Sequence, residues 1–160
     1  MKIEIITTGG TIDKIYFDAK SSYEIGEPQI AEVLQDANLT IDYQLTPLLR
    51  KDSLDLTTAD RLLIRKTAED SSCDKIVITH GTDTMIKTAL SLYDIQGKTI
   101  VMTGAMQPAR FRFTDAIFNV ASALTAVQLL AGGVWITMNG QVFDPQKTRK
   151  NRDLNRFELI

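Results

Sequence analysis

Two short apolar runs, KIVIT at residues 75–79 and KTIVMT at residues 98–103, decide the fold class of this chain. Runs of this length and composition, without polar alternation, are typical of strands buried on both faces of a parallel sheet. A third run at residues 134–138 has the same character. Parallel strands need long crossover connections, which are usually helices. These runs therefore predict an α/β protein.

Strand and helix patterns alternate on either side of these runs. The predicted strands span residues 2–7, 41–49, 75–79, 98–103 and 134–138. The predicted helices begin at Pro28, at Thr57 (where Asp60 completes a pattern like a capping box), at Asp83 (to about Ile95) and at Thr114 (to about Leu130). This order predicts a three-layer, doubly wound, mostly parallel sheet of the Rossmann or flavodoxin-like type, with right-handed crossovers.

The composition limits the class of protein. The chain has 160 residues, of which 44% are hydrophobic and 24% charged, and its formal net charge is -2. Normal apolar content with a small net charge excludes intrinsic disorder, and the length leaves room for one ordinary core. Cys73 is the single cysteine, which excludes an internal disulfide and a multi-cysteine zinc site. We expect it to be a half-buried structural thiol.

The N-terminus and the charge distribution bear on compartment and partners. The apolar run at residues 3–6 is too short for a signal peptide, and no stretch approaches the ~18 apolar residues of a membrane span. We therefore expect a cytoplasmic protein without a membrane partner. Five basic residues lie between Lys147 and Arg156, but no aromatic residue interleaves them and the rest of the chain is acidic. This pattern does not indicate nucleic-acid binding.

Segments that combine glycine with hydroxyl residues follow three of the predicted strands. They are TTGGT at 7–11, THGTDT at 79–84 and TGAM at 103–106. In open parallel sheets, ligands bind beyond the carboxyl ends of the strands, where backbone N–H groups and Oγ atoms can approach a small molecule together. Tight turns capped by Thr and Asp are the ordinary alternative. Three such segments at one edge favour a ligand site.

His80 is the only histidine and lies in the second of these segments. No G-x-S-x-G elbow accompanies it, and no metal-ligand partner lies near it in the sequence. No segment has the spacing of a dinucleotide-binding or phosphate-binding loop. We therefore expect His80 to be a positioned structural residue, and we expect neither a metal ion nor a cofactor.

The strand-end segments resemble the signature segments of the bacterial-type L-asparaginase family. The two most specific ones are TGGTI at residues 8–12 and HGTDTM at residues 80–85. The similarity continues in order through SSYEIG at 21–26, DSLDL at 52–56, VMTGAMQP at 101–108, DAIFN at 115–119 and FDPQKTRK at 143–150. The resemblance implies a cofactor-independent amidohydrolase that cleaves the side-chain amide of L-asparagine, or of L-glutamine, and releases ammonia.

The resemblance also implies catalytic roles. Thr11 is similar to the nucleophile that forms an acyl-enzyme, and Tyr23, on a mobile loop, is similar to the residue that helps to take its proton. Thr82, Asp83 and Lys150 resemble a second group that serves proton transfer and orientation. A lysine beside a carboxylate and a hydroxyl could pass a proton, although an ordinary Asp83–Lys150 ion pair is the alternative.

Substrate-binding roles follow from the same resemblance. Ser53 and Asp83 would hold the α-carboxylate and α-amino groups, with Asp52 beside them and Thr82 next to the reacting amide. Family members are longer and carry a C-terminal domain, so we expect residues 1–160 to be a single domain of the N-terminal type with that second domain absent. The alternative is a non-catalytic amino-acid-binding or interaction domain that retains the pocket.

The helix at residues 114–130 bears on assembly, because its apolar residues occupy more than one stripe. They are Ile117, Val120, Ala123, Leu124, Val127, Leu129 and Leu130. Large apolar patches are uncommon on monomers, so we expect a homodimer or a larger homo-oligomer with this helix as a contact. The alternative is that the helix is sandwiched within its own domain.

Overall fold

A six-stranded sheet forms the centre of the molecule in the computed structural model, which describes residues 1–160. The strands are β1 (Lys2–Gly9), β2 (Lys14–Phe17), β3 (Ser22–Ile25), β4 (Asp42–Lys51), β5 (Lys75–Thr79), β6 (Thr99–Thr103), β7 (Gly133–Met138), β8 (Gln141–Phe143), β9 (Thr148–Asn151) and β10 (Arg156–Leu159). The α-helices are α1 (Ile30–Asp36), α2 (Thr58–Asp70), α3 (Met85–Ser91) and α4 (Ala116–Leu129).

The central sheet has the strand order β4-β1-β5-β6-β7-β8. Every neighbouring pair is parallel except β7 and β8, which pair antiparallel. Across the sheet, Ile5 lies beside Val77, and Val77 lies beside Val101. The next residues pair in the same way, Ile6 with Ile78 and Ile78 with Met102. The predicted doubly wound, mostly parallel α/β fold is confirmed.

Both faces of the sheet are buried, which explains why the strand runs lack polar alternation. Ile5, Val77 and Val101 pack in one cluster with α1 and α4. The residues that follow them point to the opposite face, where Ile6 and Ile78 belong to a second cluster with α2 and α3. Successive side chains of a strand point to opposite faces, so the two clusters lie on either side of one sheet.

Two helices differ from the sequence expectation at their ends. The helix predicted at residues 83–95 ends at Ser91, because Leu92 N–H bonds to Ala89 O and Ile95 N–H to Leu92 O, contacts that tighten the chain into turns. Leu92 and Ile95 are nevertheless buried, so their apolar spacing imitated a longer helix. The helix predicted from Pro28 begins at Ile30.

The capping box at the start of α2 is present as predicted. Asp60 N–H donates to Thr57 Oγ1, and the Asp60 carboxylate accepts from Thr57 N–H in return. Each bond satisfies a donor that the first turn of a helix leaves free. The cap fixes the start of α2, which follows the 3-10 turn Ser53–Asp55 after β4.

Two short antiparallel ribbons, β2–β3 and β9–β10, were not predicted from the sequence. The first follows directly after Thr11–Asp13, a 3-10 turn, and carries Tyr23. The second carries Lys150 opposite Phe157, whose ring is buried against Phe143 with centroids 6.4 Å apart. Each ribbon therefore delivers one predicted site residue to the edge of the sheet.

The predicted contact stripe of α4 lies in the core of its own chain. Val120, Leu124 and Val127 are buried in the cluster on the α1 side of the sheet, whereas Ile117 and Leu129 are exposed. The expectation that Leu124 and Val127 form an assembly face was wrong, because the sheet already covers them. Homo-oligomer formation stays a prediction, which light scattering across a dilution series would test.

Candidate active site

The first two strand-end loops touch each other through glycine. Gly10 has φ +91, and a Cβ there would lie 2.5 Å from the Gly81 Cα. A Cβ on Gly81 would in turn lie 2.7 Å from Ser53 Oγ, and Thr8 Oγ1 donates to Thr79 O at 2.8 Å. Because no side chain fits at either glycine, the loop after β1, the loop after β5 and the turn after β4 form one surface.

The third loop joins the same edge but is closed by its own contacts. Gly104 packs so tightly on the His80 carbonyl that a Cβ would collide with it. The N–H groups of Met106 and Gln107 both donate to the Asp115 carboxylate, at 2.9–3.0 Å and 2.9 Å. These N–H groups are therefore already hydrogen-bonded within the chain. The third loop contributes to the site by packing against His80.

Thr11 and Tyr23 lie on adjoining elements. Thr11 is partly exposed and begins the 3-10 turn that follows Gly9 and Gly10, both of which have positive φ. Tyr23 is 51% exposed, and its ring packs edge-on against Tyr16 and Phe111, with centroids 5.4 and 6.0 Å away. Tyr23 thus joins the β2–β3 ribbon to Phe111, in the segment between β6 and α4, and makes no hydrogen bond with Thr11 in this arrangement.

Lys150 meets Thr82 and Asp83, as the resemblance implied. Its Nζ donates to Thr82 Oγ1 at 2.8 Å and to Asp83 Oδ1 at 2.9 Å. The Lys150 side chain is 12% exposed and Thr82 is buried, so the pair is shielded from water, whereas Asp83 is more open. Arg152 lies 3.6 Å from the same Asp83 oxygen. The amine, the hydroxyl and the carboxylate therefore form one contiguous group.

Ser53 offers a free hydroxyl beside this group. It begins a 3-10 turn after β4, is only 1% exposed, and its Oγ has no hydrogen-bond partner within the chain. The Ser53 carbonyl accepts a bond from Thr84 Oγ1 at 2.7 Å, which ties this turn to the loop of Thr82 and Asp83. A buried polar atom without a partner is costly, and a ligand that bonded it would remove that cost.

Asp52, which the resemblance assigns to substrate binding, is held by contacts within the chain. Its carboxylate lies 3.2 Å from Lys14 Nζ and accepts the N–H of Leu54 at 3.1 Å. Burial works to raise the pKa of Asp52, but the bonds from Leu54 and Lys14, together with the charge of Lys150, outweigh it and lower the pKa. Asp52 is thus an ionised cap and ion-pair partner at the border of the site.

His80 is a buried structural residue. Its Nδ1 lies 2.7 Å from Gly81 O and its Nε2 lies 2.9 Å from Thr88 Oγ1. Burial lowers the pKa of His80 to about 4, against the bond to Gly81, and the charge of Arg61 lowers it further. We infer a neutral ring in which Nδ1–H donates to Gly81, so that the ring fixes the loop of Thr82.

Arg61 was missed in the sequence analysis. The structure exposes Leu62 and Leu63, whereas the buried face of α2 carries Arg61, Ile64 and Ala68. The spacing of these three residues, i, i+3 and i+7, is the signal that could have found it. An arginine on the core side of an amphipathic helix indicates a buried cation with specific partners.

The guanidinium of Arg61 joins the turns and loops that form the site. It donates hydrogen bonds to Leu56 O, Thr57 O, Thr84 Oγ1 and Thr88 Oγ1, at 2.7 to 3.2 Å. Thr84 Oγ1 in turn donates a hydrogen bond to Ser53 O, and Thr88 Oγ1 is hydrogen-bonded to His80 Nε2. Every ion pair of the chain within 4.0 Å involves other residues, so Arg61 is a buried cation without a carboxylate partner.

Replacement of Arg61 tests this network. We expect Arg61→Leu to lower the free energy of unfolding by about 2–4 kcal/mol, because it removes four bonds to a charged donor and leaves buried acceptors without partners. Chemical denaturation measures the change. Lys66→Leu is the matched control, because Lys66 is an exposed cation on the same helix. Equal stability of the two variants would contradict the proposed importance of the network.

Asp13 is a buried carboxyl group at the base of the β2–β3 ribbon. It is 2% exposed, its Oδ1 accepts the N–H of Gln29 at 2.8 Å, and its carbonyl accepts the N–H of Gly26 at 2.8 Å. Burial raises the pKa of Asp13 from 3.8 to about 6, although the bond from Gln29 and the charge of Arg50 oppose the rise. Asp13 thus fastens both ends of the ribbon that carries Tyr23.

This raised pKa makes a stability prediction with a definite sign. The folded chain holds the Asp13 proton more tightly than the unfolded chain, so this contribution is full below pH 3.8 and is lost as the pH rises through about 6. We compare the free energy of unfolding of Asp13→Asn with that of the unmodified chain. We expect this difference to shift in favour of Asp13→Asn by about 2–3 kcal/mol as the pH rises from 4 to 7. Denaturation at both pH values measures the gain.

The comparison with the unmodified chain matters because His80 acts in the opposite direction. Its lowered pKa contributes stability above pH 6.5 that is lost as the pH falls through about 4. In the unmodified chain, the pH dependences due to Asp13 and His80 partly cancel. The difference in free energy of unfolding between Asp13→Asn and the unmodified chain removes the His80 effect, because both proteins contain His80. Asp36→Asn, at an exposed carboxylate on α1, is the control. A difference between Asp13→Asn and the unmodified chain that does not change with pH would contradict the prediction.

Nearly the whole chain matches the sequence model of a known family. The family model "Asparaginase, N-terminal" matches residues 2–158. The chain belongs to the asparaginase family. No group of three or more histidine, cysteine, aspartate or glutamate side chains is placed to hold a metal ion, and none of the helices has the length and apolar character needed to cross a membrane.

Several asparaginases are similar to the chain over most of its length. L-asparaginase 2 of Escherichia coli is 33% identical, and the alignment covers 99% of this chain and 49% of the relative. The structure of the thermostable L-asparaginase from Thermococcus kodakarensis superposes with a TM-score of 0.84 at 26% identity, covering 100% of this chain and 51% of that one. The chain therefore spans about half the length of the asparaginases it matches.

Other similar proteins are named for a second substrate or for different cellular compartments. A glutaminase-asparaginase of Pseudomonas aeruginosa is 35% identical over 54% of this chain and 25% of its own length. A probable periplasmic L-asparaginase of Haemophilus influenzae is 30% identical over 92% of this chain and 46% of its own. A probable cytoplasmic L-asparaginase from Campylobacter jejuni superposes with a TM-score of 0.79 at 27% identity, over 99% of this chain and 51% of that one. Because the names give both compartments, a cytoplasmic location stays a prediction for this chain.

Proposed function

We propose that the chain hydrolyses the side-chain amide of L-asparagine to L-aspartate and ammonia through an acyl-enzyme on Thr11. The observation that carries this proposal is the buried contact of Lys150 with Thr82 and Asp83. Thr82 and Asp83 lie on the loop whose Gly81 packs against Gly10, the residue directly before Thr11. A nucleophile and a proton-transfer group on touching loops are the minimum that a hydroxyl-based amidohydrolase needs.

The first half of the reaction forms an ester. Thr11 Oγ attacks the amide carbon, a C–O bond forms, and the carbonyl oxygen becomes negatively charged. Collapse of this intermediate breaks the C–N bond, and ammonia leaves with the proton that the threonine hydroxyl gave up. A threonine hydroxyl is a weak nucleophile, so a neighbouring base must take that proton. Tyr23 and the Thr82–Lys150 pair are the residues we assign to this task.

The second half returns the enzyme to its starting state. Water attacks the ester carbon, the C–O bond to Thr11 breaks, and L-aspartate leaves. A water molecule also needs a base, and we assign the transfer of its proton to the Thr82 hydroxyl, which accepts a bond from the Lys150 amine at 2.8 Å. The Lys150 side chain is only 12% exposed, so this pair is shielded from water.

Substrate binding is assigned to the residues around this group. The unpartnered Ser53 hydroxyl would donate to the α-carboxylate, and the partly exposed Asp83 carboxylate would accept from the α-amino group. Thr82 lies between them and the reacting amide. L-glutamine is the second amide we assign to the site, because it differs from L-asparagine by one methylene group.

Ammonia release from L-asparagine and L-glutamine tests this proposal on the purified chain. We expect ammonia and aspartate in equal amounts from L-asparagine. If no ammonia forms, calorimetry with L-aspartate separates the alternatives: heat of binding would indicate an amino-acid-binding domain, and its absence an interaction domain. Either result would contradict the proposed hydrolysis.

A further inference from the structure

Arg61 is bonded to both segments that carry the proposed substrate-binding residues. Its Nη1 donates at 2.7 Å to Leu56 O, at the end of the 3-10 turn that begins at Ser53. Its Nη2 donates at 3.1 Å to Thr84 Oγ1, on the residue after Asp83. One side chain of α2 therefore holds the Ser53 turn and the Asp83 loop without a hydrogen bond to either binding side chain.

The hydrogen bonds through Thr84 have a fixed direction. A guanidinium group can only donate, so Thr84 Oγ1 accepts from Arg61. The hydroxyl has one hydrogen of its own, which it donates to the Ser53 carbonyl at 2.7 Å. A hydroxyl that accepts from a cation is a stronger donor, because bonds in a chain polarise one another. Arg61 thus strengthens the bond that ties the turn to the loop.

A second chain of hydrogen bonds runs from the same guanidinium to Gly81. Arg61 Nε donates to Thr88 Oγ1 at 3.2 Å, and Thr88 Oγ1 lies 2.9 Å from His80 Nε2. The other ring nitrogen, Nδ1, lies 2.7 Å from Gly81 O. A carbonyl only accepts, so Nδ1 carries the hydrogen and the neutral ring accepts the Thr88 hydroxyl at Nε2. Every bond of this chain therefore points from Arg61 toward Gly81.

Both chains end at one contact, between Ser53 and Gly81. A Cβ on Gly81 would lie 2.7 Å from the Ser53 Cβ, so the turn and the loop touch there with no side chain between them. One chain ends on the Ser53 carbonyl and the other on the Gly81 carbonyl. Arg61 therefore holds each partner of this contact, and with it the position of the Ser53 turn relative to Asp83.

The shape of the guanidinium matters here as well as its charge. Its four hydrogen bonds use all three nitrogens of a planar group, at 2.7 to 3.2 Å. A lysine has one nitrogen with three hydrogens, so it reaches only part of this set. The positive charge would remain. Arg61→Lys therefore separates the geometry of the guanidinium from the presence of a buried cation.

We propose that Arg61 is a positioning residue that sets the affinity for substrate by holding the Ser53 turn against the loop of residues 82–83. It makes no hydrogen bond with Thr11, Thr82 or Lys150, so its action on the substrate passes through other residues. The inference rests on the proposed function, because that function assigns substrate binding to these two segments. Its loss changes KM and the affinity for the product more than it changes kcat.

Steady-state kinetics of Arg61→Lys and Thr84→Val test this role. We expect each change to raise KM for L-asparagine by at least about fivefold and to alter kcat by less than about twofold. Calorimetry should show the same fold loss in affinity for L-aspartate, a measurement that needs no turnover. The double variant should bind no more weakly than the weaker single variant, because both changes break the same chain. Thr84→Val keeps the shape of the side chain and repeats the test if Arg61→Lys does not fold.

Arg65→Lys is the matched control, because Arg65 lies one turn further along α2 and pairs with Glu69 and Asp94. It should leave KM and kcat unchanged. All assays are run where chemical denaturation shows every variant to be folded. A purely structural role of Arg61 would lower the amount of folded protein, and therefore the apparent kcat, without a change in KM.

Three results would overturn the inference and leave the proposed function intact. They are an unchanged KM in both Arg61→Lys and Thr84→Val, a fall in kcat alone, and losses of affinity that add in the double variant. If the unmodified chain releases no ammonia, the proposed hydrolysis is contradicted, and the affinities for L-aspartate still decide the role of Arg61. Absence of both ammonia and L-aspartate binding in the unmodified chain would contradict both.

Discussion

Thr11→Ala reduces ammonia release by at least about a thousandfold if Thr11 is the nucleophile, because the ester to residue 11 cannot then form. The expected loss lies in kcat, since Ser53 and Asp83, the residues proposed to bind the substrate, are unchanged. Initial rates measured over a range of substrate concentrations separate kcat from KM. Thr11 begins its turn without a side-chain cap, so we expect the variant to fold normally.

Two controls make the Thr11 experiment decisive. Thr58→Ala removes an exposed threonine hydroxyl at the start of α2 and should leave the rate unchanged. Thr11→Ser retains a hydroxyl and should retain part of the activity. If Thr11→Ala released ammonia as fast as the unmodified chain, residue 11 would not be the nucleophile.

Lys150→Arg is expected to lose at least about a hundredfold in kcat, the low end for general acid–base catalysis. Arginine keeps the positive charge beside Asp83, so an ion pair alone would survive the change. A guanidinium does not give up its proton in this pH range, so proton transfer would fail. Lys147→Arg, at an exposed lysine close to the same ribbon, is the control. Activity retained by Lys150→Arg would mean that Lys150 only balances charge.

The sheet was predictable because its strands are unambiguous. The runs at 75–79 and 98–103 are buried on both faces, so nothing in their composition competes with a parallel-strand interpretation. The glycine and hydroxyl segments could be placed at one edge for the same reason, since the carboxyl ends of parallel strands meet there. Gly10 and Gly81 then bring the loops into contact.

The two ribbons could not be predicted from local pattern. Residues 14–25 and 148–159 form strands of four residues, too short for alternation to stand out, and charged side chains occupy much of both. Their pairing depends on tertiary anchors, such as Phe157 against Phe143 and Asp13 against Gln29 and Gly26. The positions of Tyr23 and Lys150 in the sequence analysis came from the resemblance alone.

The charged residues show where sequence reasoning is weakest. The Asp52 carboxylate, which the resemblance assigns to substrate binding, pairs with Lys14 and accepts the N–H of Leu54, and nothing in the sequence indicated these contacts. Arg61 was overlooked, and the structure buries this charged residue while it exposes the two leucines that follow it. The partner of a charged side chain depends on contacts distant in sequence, which periodicity does not report.

The central claim is an acyl-enzyme on Thr11, and partitioning with hydroxylamine tests it most directly. Hydroxylamine competes with water for an acyl-enzyme and converts the aspartyl ester into aspartyl hydroxamate. The account predicts that hydroxamate replaces aspartate as hydroxylamine is increased, and that Thr11→Ala forms none. Aspartate as the sole product at every hydroxylamine concentration, or hydroxamate formed equally by Thr11→Ala, would contradict the account.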